Sequence, residues 1–63
     1  MTFVLTIETD NAAFDDSPEY EVARILRKIA ERVQAEGMPL DGKCIAARDT
    51  NGNRCGSAFV DGG

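Results

Sequence analysis

Residues 17–37 read SPEYEVARILRKIAERVQAEG, and the conformation of this stretch decides how the rest of the chain must be arranged. Val22, Ile25, Leu26, Ile29, Ala30 and Val33 recur at intervals of three and four. That is the spacing of one apolar stripe, about three turns long, on an α-helix. Ser17-Pro18 supplies the start: a serine oxygen suits the free N–H groups of a first turn, and proline at the first helical position loses nothing by lacking its own. Glu19 and Glu21 favour the positive end of the helix dipole. Gly37 and Pro39 supply the stop, so the spacing predicts a helix over residues 18–36.

A lone helix with one apolar stripe needs a sheet to cover, and both flanks provide strands. From Thr2 to Thr9 the side chains alternate, with Phe3, Leu5 and Ile7 on one side and Thr2, Val4, Thr6 and Glu8 on the other, which predicts a half-buried strand over about 2–9. Residues 10–16 are rich in Asp and Asn and have no period; they read as a loop with Phe14 tucked beneath it. The last third reads as a hairpin, with strands over about 43–48 and 54–60 around Asp49-Thr50-Asn51-Gly52-Asn53.

Two hairpin registers compete. A three-residue loop with Gly52 left-handed pairs Asp49 with Asn53 and gathers Ile45, Ala47, Cys55, Ser57 and Phe59 on the inner face. A two-residue Asn-Gly turn pairs Arg48 with Cys55 and turns Arg54 inward, so the three-residue loop is preferred. Neither register brings Cys44 and Cys55 into disulfide geometry. The class is α+β, β-α-β-β: one helix on a three-stranded, mostly antiparallel sheet in a single domain of residues 1–63. A 19-residue helix spans roughly 28 Å and returns the chain along the strands. The third strand then fits between the first two, giving order 1-3-2 in preference to 1-2-3 with a right-handed crossover.

Composition makes the core thin. Hydrophobic residues are 43% of the 63, but eight of these are Ala, and Leu, Ile, Val and Phe number fourteen. A chain of this size buries only about 60% of its unfolded surface, so a second copy or a partner is an expected source of stability. No apolar run approaches the roughly 20 residues of a membrane span, and no basic start with an apolar stretch marks a signal peptide. The reading is a cytoplasmic protein with reduced thiols and no membrane association. His is absent, which removes the commonest general base and metal ligand. Cys44 beside Lys43 lacks a base to activate it, and Cys55 reads as core packing. The chain is therefore expected to have no catalytic residues, no metal site and no cofactor.

Charge is uneven along the chain. Residues 1–21 carry six acids and no base, whereas residues 22–63 carry seven bases and five acids. Asp10, Asp15, Asp16, Glu19 and Glu21 form a candidate partner-binding segment, to be weighed against plain helix capping and solubility. Their spacing matches no calcium loop, and the oxygens of Asp49, Asn51 and Asn53 are accounted for by turn chemistry. A second candidate is the uncovered sheet face. Val4, Thr6, Ala46, Gly56, Ala58 and Val60 make it flat and mildly apolar, suited to a homodimer or another protein. Arg24, Arg27, Lys28 and Arg32 form a basic patch on the helix, but Glu31 interrupts it and the chain is acidic overall. Nucleic acid is thus the weakest of the partner readings.

Ile7-Glu8-Thr9-Asp10-Asn11-Ala12-Ala13-Phe14, the helix segment Glu21-Val22-Ala23-Arg24-Ile25-Leu26-Arg27, and Asp49-Thr50-Asn51-Gly52-Asn53-Arg54 followed by Gly56 together resemble small accessory proteins encoded by bacteriophages and prophages. The resemblance spans nearly the whole chain, and its first segment is the most distinctive. It implies a genomic setting and carries over no site residues. Small acidic phage proteins often bind a host protein, sometimes inhibiting a defence system or redirecting a host enzyme. The expectation is a non-enzymatic binder of a host or phage protein, with a self-associating homodimer as the alternative and a nucleic-acid binder third.

Overall fold

A computed structural model describes residues 1–62. Strand β1 spans Thr2–Ile7, a single 3-10 turn Ala12–Phe14, helix α1 Pro18–Glu36, strand β2 Cys44–Arg48 and strand β3 Arg54–Asp61. The sheet order is β1-β3-β2, with β3 antiparallel to both neighbours, so the fold is the α+β arrangement in its 1-3-2 form. The helix is long enough to carry the chain back along the sheet, which leaves the central place to the last strand.

The hairpin closes as a three-residue loop. Asp49 N donates to Asn53 O at 2.9 Å, Gly52 N donates to Asp49 O at 3.0 Å, and Gly52 takes a φ of 84°, a conformation that glycine adopts without steric cost. Beyond the turn the expected alternation fails. Arg48 lies opposite Arg54 but Ala47 lies opposite Gly56, so Cys55 is an extra residue, a β-bulge. Cys55 stays on the helix side as expected. The bulge then inverts everything after it: Ala58 is completely buried under the helix, while Ser57 and Phe59 turn to the open face. Gly56 follows the bulge, and only glycine fits there, because a Cβ would fall onto the carbonyl oxygen of Thr6 in β1.

The core comprises Phe14, Ile25, Ile29, Ile45, Ala47, Cys55 and Ala58, with Leu5, Ile7, Val22 and Val33 half-buried around it. Phe14 is tucked under its loop as the sequence suggested, on the 3-10 turn that Asn11 opens by accepting a bond from Ala13 N at 2.9 Å. The helix begins at Pro18, yet the Ser17 side chain makes no capping bond. Its backbone ψ of 74° departs from the extended geometry of a capping residue, and its carbonyl accepts from Tyr20 N and Glu21 N instead. At the other end Gly37 N donates to Val33 O at 2.9 Å.

The helix does not sit centrally. It packs chiefly against β2 and the 3-10 turn, leaving the helix-facing side of β1 partly uncovered. The molecule is elongated, 37 × 21 × 17 Å, and exposes 4410 Å² against roughly 4,000 Å² for a compact monomer of its mass. No helix among the described residues is long and apolar enough to cross a membrane.

Candidate functional site

The acidic segment divides. Asp10, Asp15, Asp16 and Glu19 are exposed, but Glu21 is buried and engaged. Arg24 Nε donates to Glu21 Oε1 at 2.8 Å and Arg24 Nη2 to Oε2 at 3.2 Å, while Thr50 N donates to Oε2 at 2.6 Å. The hydrogen bond from Arg24 holds the Glu21 carboxyl below the usual range, against a smaller opposing effect of burial. Glu21 thus ties the first turn of the helix to the tip of the hairpin and is withdrawn from the candidate partner site. Its sequence reading as a dipole charge lacked any signal for Thr50, which is 29 residues away.

Asp49 completes this knot. Its Oδ1 accepts from Asn51 N and Asn53 N, both at 2.9 Å, and its Oδ2 accepts from Asn11 Nδ2 at 3.0 Å. Three segments distant in sequence, the loop after β1, the helix start and the hairpin turn, are therefore joined through two carboxylates. Of the exposed acids, Asp10, Asp15 and Asp16 belong to the loop that this knot holds, and Glu19 stands in the first turn of α1.

The open sheet face differs from the expected one because of the bulge. Val4, Thr6 and Ala46 lie on it, whereas Gly56, Ala58 and Val60 face the helix side. In their place stand Ser57 and Phe59 on the central strand. Phe59, 39% exposed, lies directly between Val4 and Cys44, and Ser57 lies between Thr6 and Ala46. Arg54 Nη2 approaches Cys44 Sγ at 3.9 Å. Both thiols are free: Cys44 is exposed, and burial pushes the Cys55 thiol above its ordinary range, reinforced by the charges of Asp49 and Glu21. The period-two pattern places Phe59 inward with Ser57, and the bulge at Cys55, which leaves no mark in the alternation, reverses that placing.

Two further surfaces come from the off-centre helix. On the β1 side, Phe3, Leu5, Leu26, Ala30, Val33 and Met38 line an open, almost wholly apolar groove of about 540 Å³. Its signal in the sequence was the width of the helical stripe, whose Leu26 flank the sheet does not cover. On the β2 side, Arg24, Lys28, Arg32 and Arg48 line a smaller cleft of about 210 Å³. Arg24 is bound to Glu21, and Arg32 to Glu36 with Nε–Oε2 at 3.1 Å. Arg27 lies outside this cleft, so the basic patch read from the helix is split. Among the described residues, no three His, Cys, Asp or Glu side chains lie close enough to hold a metal ion.

Compared with known proteins, the chain matches no family model, no curated protein and no solved structure.

Proposed function

We propose that this chain is a small non-enzymatic accessory protein of the phage-encoded kind, acting in the cytoplasm of a bacterial host by binding another protein. Phe59 carries this reading: an aromatic side chain stands on the solvent-facing side of the central strand, with Val4 and Cys44 flanking it. Aromatic groups on flat, weakly charged surfaces are the usual anchors of protein recognition. Thr6 and Ala46 extend the face, and the exposed Asp10, Asp15, Asp16 and Glu19 supply a separate acidic edge for steering a basic partner. Binding of this kind would block or redirect the partner without chemistry of its own. The ionisable groups that the fold buries support that view, since Glu21 and Asp49 are committed to hydrogen bonds within the chain. A nucleic-acid ligand is less well supported, because Arg24 and Arg32 already hold carboxylates.

The test is affinity capture from bacterial lysate at moderate salt, with mass-spectrometric identification and titration of the purified partner. One stoichiometric protein should be captured. Phe59→Lys should weaken its binding at least tenfold, and reversal of Asp15 and Asp16 to Lys should slow association. Undiminished binding by Phe59→Lys, or recovery of nucleic acid alone, would overturn the reading.

A further inference from the structure

The two edges of the sheet are built differently. Register places Glu8 opposite Cys55, and Glu8 N donates to Cys55 O at 2.7 Å. Hydrogen-bonded and non-bonded pairs alternate along an antiparallel ladder, so the even residues of β1 point their amides and carbonyls at β3. The N–H and C=O groups of Phe3, Leu5 and Ile7 therefore face outward, unpaired, along an edge whose residues carry no charge and no proline. Their side chains are on the helix side, and those of Phe3 and Leu5 line the apolar groove.

The β2 edge is guarded. By the same alternation its outward groups belong to Cys44, Ala46 and Arg48, and Arg24 Nη2 already donates to Arg48 O at 3.0 Å. Arg24, Lys28, Arg32 and Arg48 line its flank, so self-pairing there would bring like charges together. Charged side chains are a common protection of sheet edges against pairing, and β1 has none.

We infer that β1 is the pairing edge of a homodimer, in which a second copy lies antiparallel to it across a two-fold axis through Leu5. In that register Phe3 lies opposite Ile7 of the second copy, and Leu5 opposite its own counterpart. Opposite residues of an antiparallel pair share a face. Both helices thus stand on one side of a continuous six-stranded sheet, and the two grooves join into a single apolar trough.

Three observations favour a second copy over a foreign strand. A bare strand would satisfy the edge alone, whereas a copy also continues the apolar surface beside Leu26 and Met38, 44% and 38% exposed, with its own Phe3, Leu26 and Met38. The two-fold arrangement also sets Glu8 opposite Thr2 of the second copy. Six strand residues, about 20 Å, then separate Glu8 from its counterpart, beyond the ~8 Å screening length of physiological salt. Finally, the chain exposes roughly 400 Å² more than a compact monomer of its mass. A contact confined to one six-residue edge and the groove beside it is small, so a weak dimer is the expected outcome.

The closing experiment combines sedimentation equilibrium, from micromolar to millimolar chain, with amide hydrogen exchange. The mass should rise with concentration from 6.8 kDa towards twice that value. The amides of Phe3, Leu5 and Ile7 should gain protection over the same range, while those of Val4 and Thr6 stay protected throughout. Phe3→Lys should weaken dimerisation at least tenfold, and Phe59→Lys, on the other face, should leave it unchanged. A chain monomeric at millimolar concentration, or free exchange at Phe3, Leu5 and Ile7 in wild type, would overturn the inference even if Phe3→Lys does not fold. Dissociation by Phe59→Lys alone would move the dimer to the open face. The partner-binding proposal stands or falls separately on capture.

Discussion

Replacing Asp49 with Ala removes the acceptor of three hydrogen bonds at once, from Asn51 N, Asn53 N and Asn11 Nδ2. The residue is only 4% exposed, so water does not readily replace the lost acceptor. At about 1 kcal/mol for each bond, the loss comes to roughly 3 kcal/mol. A domain of this length is stable by about 3–9 kcal/mol, so the variant should lie near the edge of folding. With a urea slope of about 1 kcal/mol/M, the midpoint should fall by about 3 M. Asp49→Asn is the finer probe. It retains Oδ1 for the two backbone donors but turns an amide towards the amide of Asn11, and should lose only about 1 kcal/mol. A double-mutant cycle between Asp49→Ala and Asn11→Ala, followed by urea titration, should return about 1 kcal/mol of coupling across the loop and hairpin. If Asp49→Ala shifts stability by less than about 0.5 kcal/mol, or the cycle closes without coupling, the carboxylate does not hold these segments together, and the argument for the knot fails.

Gly56→Ala should destabilise by at least about 2 kcal/mol, because the new Cβ must displace the Thr6 carbonyl from the β1–β3 ladder. Strand propensity alone gives the opposite sign, since Gly to Ala usually stabilises by about 0.5–1 kcal/mol where the backbone permits. The direction of the urea midpoint shift therefore decides between the two. Glu21 predicts an acid limb. Its folded-state pKa is depressed by the Arg24 hydrogen bond, so its contribution is complete above the unfolded glutamate value of about 4.3 and is lost as pH falls through the lower folded value. Glu21→Gln should be less stable than wild type at neutral pH, and the gap should narrow on acidification. A gap independent of pH would show that the carboxylate's charge is not what Arg24 and Thr50 recognise. The Glu36 carboxyl is lowered in the same way by its hydrogen bond from Arg32, but that pair is exposed, so added salt should weaken its part and leave the Glu21 effect.

Much of the fold was legible from local pattern. Alternation up to Thr9 marked β1, which ends two residues sooner at Ile7; the three-four spacing from Val22 to Val33 marked α1, and Asn51-Gly52-Asn53 marked the turn. Each is set by neighbours a few residues apart. The candidate site was legible only in part: Val4, Thr6 and Ala46 lie on the open face, but Gly56, Ala58 and Val60 do not, and Glu21 is engaged inside. Beyond Arg54 the continued alternation points Ser57 and Phe59 inward, and the bulge at Cys55 reverses that choice, because a single unpaired residue shifts every later side chain to the other face.

Local sequence accounts for the elements and for the separation of the two thiols, which holds in either hairpin register, and it favours the three-residue turn over the two-residue one by keeping Arg54 out of the core. Tertiary structure decided the bulge at Cys55, and with it the placing of Phe59 on the open face and the close approach of Gly56 to Thr6. It also decided the displacement of α1 towards β2. That displacement opens the groove beside an unguarded β1 while the basic row of the helix flanks the other edge. Such outcomes depend on contacts between residues tens of positions apart, and no local period encodes the lateral position at which a helix settles on its sheet.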